Sequence, residues 1–187
     1  MTSRIAPVAP PYSEETATFL RRWTPPGAGD PLLLFRVLAR HRAFTDRMRP
    51  LGSGILGPSS GIAARERELL IARVCALCRC EYEWGAHVAT LGRAAGLGED
   101  LRAATVTAPA DDPVWQGRDR LLIALADSLH GPAAIPDELW ARLSAEWTPE
   151  QVIELIVIAG WYHLISFLCN GLALPPEAWA ARWPAAR

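Results

Sequence analysis

The chain of 187 residues contains no lysine, and all 19 of its basic residues are arginine. Schiff-base catalysis, a pyridoxal phosphate anchor and a phosphate-loop lysine all need a primary amine, so the sequence excludes these three chemistries. With 20 acidic residues the net charge is -1, which gives no strong positive field to attract nucleic acid or anionic lipid. We therefore expect no nucleic-acid and no membrane partner.

Cysteine is also scarce. The four cysteines, Cys75, Cys78, Cys80 and Cys169, are too few and too clustered to crosslink a secreted domain of this size. Residues 1–7 contain no apolar run of the length that a signal peptide needs. We expect a reducing compartment and a cytoplasmic protein.

Strand-like patterning is missing as well, because no segment shows sustained alternation of apolar and polar residues. With 50% hydrophobic residues the chain can bury a sizeable core. We predict an all-α fold in which helix pairs pack as a bundle. Residues 1–29 are expected to form an arm with a short helix, and residues 30–187 a single helical domain.

Start and stop signals place the helices along the chain. The predicted helices span residues 13–23, 32–49, 62–78, 82–95, 115–130, 136–147 and 148–169. Pro25-Pro26-Gly27 is expected to end the first helix and Pro50-Leu51-Gly52 the second, since proline interrupts the helical hydrogen bonds. A loop is then predicted up to Ser60.

The last predicted helix, residues 148–169, is apolar nearly all round. It begins at a capping box formed by Thr148 and Gln151. Its length, together with Glu154 and His163, favours a buried central helix over a membrane span.

Residues with chemical potential concentrate between positions 66 and 87. Offsets of three, four and seven residues fall on one helix face, so Cys80, Glu83 and His87 are predicted to line up. A carboxylate one turn before a histidine can hold its ring and raise its pKa, which suits general acid–base catalysis. Glu83 and His87 are therefore a candidate dyad, with a solvated surface pair as the alternative.

The clustered cysteines and His87 also allow a zinc hypothesis. The spacing argues against it, because Cys75-x-x-Cys78 is followed by no second ligand pair and helix geometry points Cys80 away from Cys78. We expect no metal and no cofactor. Cys75, Cys78 and Cys169 are interpreted as small core residues.

Three segments resemble the core of the carboxymuconolactone decarboxylase family, which includes the alkylhydroperoxidase D-like proteins. They are Arg67-Glu68-Leu69-Leu70, Cys80-Glu81-Tyr82-Glu83-Trp84-Gly85-Ala86-His87-Val88 and Ala94-Ala95-Gly96-Leu97. Segments within 119–130 and 160–170 are similar to the second half of the family's larger members. The resemblance implies a helical bundle of that type and a homo-oligomer.

The two branches of the family imply different chemistry. For the peroxidase-like branch the resemblance implies a glutamate, a Cys-x-x-Cys pair and a histidine four residues on, and Glu68, Cys80 and His87 match these positions. Glu83 stands where the second cysteine belongs, which removes the resolving thiol of a peroxidase relay. The decarboxylase branch implies an acid–base histidine and needs no thiol pair.

We interpret the chain as a cofactor-free decarboxylase, or a related acid–base lyase, for a cyclic or aromatic-derived carboxylic acid. His87 would protonate the carbanion left by loss of CO2, and Glu68 and Glu83 would orient or recharge its ring. Two alternatives stay open: a thiol-dependent peroxidase or redox protein that uses Cys80, and a non-catalytic helical binding protein.

Four further side chains are candidate substrate contacts: Tyr82, Trp84, Tyr162 and His163. Their rings suit the walls of a pocket for a ring-shaped substrate. The alternative for each is a place in the packed core, with a hydrogen-bond partner where the group is polar.

Overall fold

The computed structural model describes residues 3–24 and 29–185, and every regular element within these ranges is a helix. The all-α prediction is confirmed. In chain order the helices are α1 (Glu14–Trp23), α2 (Leu33–Leu38), α3 (Arg42–Thr45), α4 (Arg49–Leu56), α5 (Ala64–Leu77), α6 (Glu81–Ala89), α7 (Leu91–Ala94), α8 (Glu99–Thr107), α9 (Arg118–His130), α10 (Asp137–Glu146) and α11 (Pro149–Gly171). The 3-10 turn Ala39–His41 joins α2 to α3.

The centre of the fold is α5, which packs against α6, α8, α9 and α11. The four consecutive residues from Leu69 to Ala72 are fully buried. A surface helix exposes part of every turn, so burial of four successive positions requires neighbours on all sides. Every functional side chain on α5 therefore lies inside the protein or at its contacts with neighbouring helices.

The predicted capping box of α11 is confirmed. The Thr148 hydroxyl accepts the Gln151 N–H, and the Gln151 side chain accepts the Thr148 N–H. The predicted burial of this helix holds for one of its faces, which packs against α5. The opposite face exposes an apolar stripe of Ile153, Val157, Leu164 and Phe167.

Within the described ranges, α11 is the one helix long and apolar enough to cross a membrane. Half of its most apolar stretch is buried against the rest of the protein. Its Glu154 also accepts hydrogen bonds from the Ser60 hydroxyl and the Gly61 N–H. These contacts are those of a helix packed in a protein core.

The segment between residues 32 and 60 differs from its prediction. Instead of one helix to Arg49, the chain turns at Thr45, whose hydroxyl donates to the carbonyls of Leu38 and His41. Pro50 does not end a helix but lies in the first turn of α4. Proline suits that position because the first N–H groups of a helix have no intrahelical partner.

Two further helices differ from the prediction. Residues 99–107 form α8, and α9 begins at Arg118 rather than at Trp115. The Asp112 carboxylate accepts the Val114 N–H, so Asp112 and Pro113 form a local turn ahead of the helix. Gly117 follows with φ 52°, a conformation that favours glycine.

Both ends of the described chain lie against the helices. Residues 3–12 contain no helix, as predicted for the arm, and Val8 exchanges hydrogen bonds with Arg36. The helix predicted at residues 13–23 is present, and its Phe19 lies in the common core. The Pro25-Pro26-Gly27 stop lies outside the described residues, and the domain boundary at residue 29 stays a prediction.

The C-terminal segment after α11 lies across α6. The Ala181 N–H donates to the Gly85 carbonyl, and the Trp183 N–H donates to Glu81. The Trp183 ring lies 4.9 Å from that of Trp84. A Cβ at Gly85 would collide with the Ala181 carbonyl, so this close approach requires glycine.

Candidate active site

A sharp turn between α5 and α6 assembles the site. Arg79 has φ 53°, in the left-handed region that costs a non-glycine residue about 1–2 kcal/mol. The Cys80 N–H returns to the Cys75 carbonyl and closes the turn. As a result α6 runs back along α5 and brings His87 opposite Glu68.

His87 lies between two carboxylates. Its Nδ1 is 2.7 Å from Glu68 Oε2, and its Nε2 is 3.3 Å from Glu83 Oε1. His87 is 7% exposed, Glu83 8% and Glu68 1%, so the predicted Glu83–His87 contact exists and is not a solvated surface pair. The contact with Glu68 depends on the packing of two helices.

These neighbours determine the charge of the imidazole. Burial alone lowers the pKa of His87, but the hydrogen bonds and charges of Glu68 and Glu83 outweigh it and raise the pKa to about 10. At neutral pH the ring is therefore an imidazolium that can donate one N–H to each carboxylate. The Arg67 guanidinium lies 3.4 Å from the other oxygen of Glu68 and adds a second positive charge.

The α11 helix covers this centre. The Tyr162 ring meets His87 edge-on, with centroids 5.0 Å apart and an interplanar angle of 88°. Burial raises the pKa of the Tyr162 hydroxyl, so that it stays neutral and remains a hydrogen-bond donor. One turn later, Ser166 Oγ is buried and has no hydrogen-bond partner among the described residues.

Two buried thiols adjoin the same centre. The hydrogen bond from Cys169 lowers the pKa of Cys80 against the effect of burial, and the Glu83 N–H at the start of α6 acts in the same direction. The same hydrogen bond, together with burial, raises the pKa of Cys169. Cys80 is thus the thiol that ionises more readily, and Cys169 is its donor.

Solved structures of other proteins share this fold. An uncharacterised peroxidase-related protein from Ralstonia eutropha, described as an alkylhydroperoxidase AhpD core, has a TM-score of 0.80 at 15% identity and covers 95% of this chain and 94% of its own. An uncharacterised peroxidase-related protein from Silicibacter has a TM-score of 0.77 at 17% identity, with 91% and 88% covered. A protein of unknown function from Agrobacterium tumefaciens, provisionally described as the antioxidant-defence protein AhpD, has a TM-score of 0.64 at 22% identity, with 73% and 91% covered.

In sequence, residues 42–118 match the model of the carboxymuconolactone decarboxylase family. This match confirms the predicted resemblance to the carboxymuconolactone decarboxylase and alkylhydroperoxidase D-like proteins. No curated protein matches it significantly in sequence. The matched segment contains Glu68, Cys80, Glu83 and His87, whereas Tyr162 and Cys169 lie beyond it.

Three of the predicted substrate contacts have their polar atoms bound to other groups of the protein. The Tyr82 hydroxyl donates to Glu177 and accepts the Leu34 N–H, and Trp84 Nε1 donates to Thr105. His163 Nε2 lies 3.0 Å from His130 Nδ1. Tyr162 is the one of the four that the structure places against His87, and a substrate role for each of them stays a prediction.

Sequence reasoning missed Arg67, Ser166 and the partnership of Cys169 with Cys80. Ser166 and the Cys80–Cys169 contact depend on the packing of α11, which no local spacing signals, whereas Arg67 adjoins Glu68 on α5. Cys169 is buried as predicted, whereas Cys78 is only half-buried and contacts two histidines. A surface groove of about 460 Å³ is lined by residues that include Glu14, Arg22 and Asp46 and by none of the residues of this site.

Proposed function

We propose that the chain is a cofactor-free acid–base lyase that decarboxylates a cyclic or aromatic-derived carboxylic acid. The observation that supports this most is the buried imidazolium of His87, held between Glu68 and Glu83. A group with a pKa of about 10 keeps its proton at neutral pH and can deliver it to a stronger base, such as a carbanion.

The geometry suggests which proton moves. Glu68 lies 2.7 Å from Nδ1 and holds the ring, while the 3.3 Å contact of Nε2 with Glu83 is the easier one to open. When the substrate loses CO2, the electron pair of the broken C–C bond spreads into a neighbouring carbonyl. Nε2 then gives its proton to that carbon, and the neutral ring recovers a proton from solvent by way of Glu83.

The test is CO2 release from a panel of cyclic and aromatic carboxylic acids. We expect His87→Gln to lower the rate by about 10²- to 10⁴-fold, the usual contribution of a positioned acid or base. His41→Gln changes an exposed histidine outside the site and is the matched control. Equal rates for wild type and His87→Gln would contradict the proposal.

A second candidate function is thiol-dependent peroxide reduction, favoured by the Cys80–Cys169 pair. The Cys80 thiolate would attack a hydroperoxide and release an alcohol, leaving a sulfenic acid. The Cys169 thiol would then displace water to form a disulfide, which an external dithiol reduces. Two structurally similar proteins are named peroxidase-related, and here Cys169 would supply the thiol that Glu83 replaces.

Hydroperoxide consumption with a dithiol reductant separates the two functions. Thiol chemistry requires that Cys80→Ser abolish turnover and that peroxide produce a Cys80–Cys169 disulfide visible by peptide mass spectrometry. Cys78→Ser is the control, because Cys78 is a half-buried thiol that contacts His130 instead of this pair. Retained peroxide turnover in Cys80→Ser would eliminate this candidate.

We also propose a cytoplasmic homo-oligomer. The exposed apolar stripe of α11, which includes Ile153 and Phe167, is the surface that fits a second copy. Sedimentation velocity should show an assembly larger than a monomer that Phe167→Glu dissociates. A wild-type monomer at micromolar concentration would contradict this.

A further inference from the structure

A second cluster of potential ligands lies away from His87. It brings together Cys78 at the end of α5, His130 at the end of α9 and His163 in the middle of α11. One ligand atom from each residue lies within 4.8 Å of the other two. His130 Nδ1 is 3.0 Å from His163 Nε2 and 3.9 Å from Cys78 Sγ.

The surroundings orient these groups. His163 Nδ1 is 2.8 Å from the Ala159 carbonyl and must donate to it, so the neutral ring presents the lone pair of Nε2 to the cluster. A histidine that binds a metal through one ring nitrogen usually donates the N–H of the other to an acceptor such as a backbone carbonyl, which fixes the ring. The Asn170 side chain donates to the Cys78 carbonyl and fixes the backbone that carries the thiol.

The spacing fits a tetrahedral ion. Zinc bonds of about 2.0–2.1 Å to nitrogen and about 2.3 Å to sulfur place two nitrogens about 3.3 Å apart, and nitrogen and sulfur about 3.6 Å apart. The observed separations of 3.0 Å and 3.9 Å differ from these by about 0.3 Å each. Small side-chain rotations at half-buried Cys78 and exposed His130 would close the difference.

We propose that Cys78, His130 and His163 bind a Zn²⁺-class ion, with a fourth position open to water. One thiolate and two imidazoles are ligands that favour zinc over magnesium or calcium. Three protein ligands with one open position are typical of zinc sites that activate water. The zinc arrangement that the sequence spacing argues against includes His87, whereas this site does not contain it.

Metal binding changes the protonation of two of the ligands. The Cys78 thiol loses its proton to solvent when its sulfur binds the ion. The proton of His130 moves from Nδ1 to Nε2, which frees Nδ1 as a ligand. Without an ion, the same atoms form a simple hydrogen bond from His130 to His163, and the experiment must separate these two states.

The experiment uses the full chain, stripped of metal and kept reduced, with Co²⁺ as a spectroscopic substitute for Zn²⁺. We expect one tightly bound equivalent, the visible absorption of a four-coordinate ion and a thiolate-to-metal charge-transfer band in the near ultraviolet. Cys78→Ser should remove the charge-transfer band. His130→Gln should weaken the affinity for Zn²⁺ by about 100-fold or more, at least the upper loss seen for supporting residues.

A matched variant and a stability measurement serve as controls. His41→Gln removes an exposed histidine elsewhere and should bind Zn²⁺ as wild type does. Zn²⁺ should raise the Tm of wild type and His41→Gln but not of His130→Gln, and the metal-free Tm of each variant reports its folding. Several weak equivalents, no thiolate band, or equal affinity in wild type and His130→Gln would overturn the proposal.

Discussion

His87 and His130 face opposite electrostatic surroundings. The ring of His87 has a carboxylate at each nitrogen, and its pKa is raised to about 10. His130 faces another imidazole, and burial together with the charge of His163 lowers its pKa. At neutral pH the His87 ring is therefore protonated on both nitrogens, whereas the His130 ring keeps a lone pair on one nitrogen.

The difference shows that the groups facing the two ring nitrogens decide what a histidine can do. Both residues are histidines in the last turn of a helix, so neither identity nor helix position distinguishes them. Glu68 and His163 make the distinction, and each reaches its histidine from another helix. Removing these partners tests whether they set the charge of each ring.

The largest effect is expected for Glu68→Ala. The substitution leaves a buried imidazolium without its closer partner, which typically costs about 3–5 kcal/mol. Urea unfolding at pH 7 measures the loss, and Glu15→Ala at the surface is the control, with little expected change. A loss below about 1 kcal/mol would show that His87 is neutral in the folded protein.

A smaller effect is expected from pH. Because the folded pKa of His87 lies above its unfolded value, its stabilisation is complete below pH 6.5 and is lost as the pH rises towards 10. The difference in unfolding free energy between wild type and His87→Gln should therefore shrink across this window. A difference that stays constant or grows with pH would contradict the raised pKa.

The next effect in size is a change in the pKa of the Cys80 thiol. Cys169→Ala removes the hydrogen bond that most lowers the pKa of Cys80, so this pKa should rise. Thiolate absorbance in the ultraviolet, measured against a Cys80→Ser blank, gives the value. An unchanged pKa would mean that the Glu83 N–H, and not Cys169, stabilises the thiolate.

The smallest effect is expected for His130→Gln in the absence of metal. Its hydrogen bond to His163 joins two imidazoles near the surface, and a typical hydrogen bond contributes about 0.5–1.5 kcal/mol. Urea unfolding should show a loss well below that of Glu68→Ala. A comparable loss would mean that both clusters are equally important for the fold.

Local patterns in the sequence predicted the parts of the site that lie on one helix. The i, i+4 spacing of Glu83 and His87 indicated their contact, and the capping box at Thr148 placed the start of α11. Glu68 was found through its place in the family motif. Its 2.7 Å contact with His87 depends on the left-handed turn at Arg79, which no propensity indicates.

Contacts between distant segments could not be predicted. His130 is 52 residues from Cys78 and 33 residues from His163 in the chain, so only the packing of three helices brings them together. The error at Pro50 has a different origin, because the same residue type ends one helix and begins another. Which role it takes depends on the packing of the preceding turn.

A nitrogen-15 NMR titration of the histidine side chains measures whether the His87 ring holds the proton that it would donate to the substrate. We expect both ring nitrogens of His87 to be protonated at pH 7 and to titrate near pH 10, with the resonance assigned by its loss in His87→Gln. A neutral ring at pH 7 that titrates near 6.5 would contradict the account.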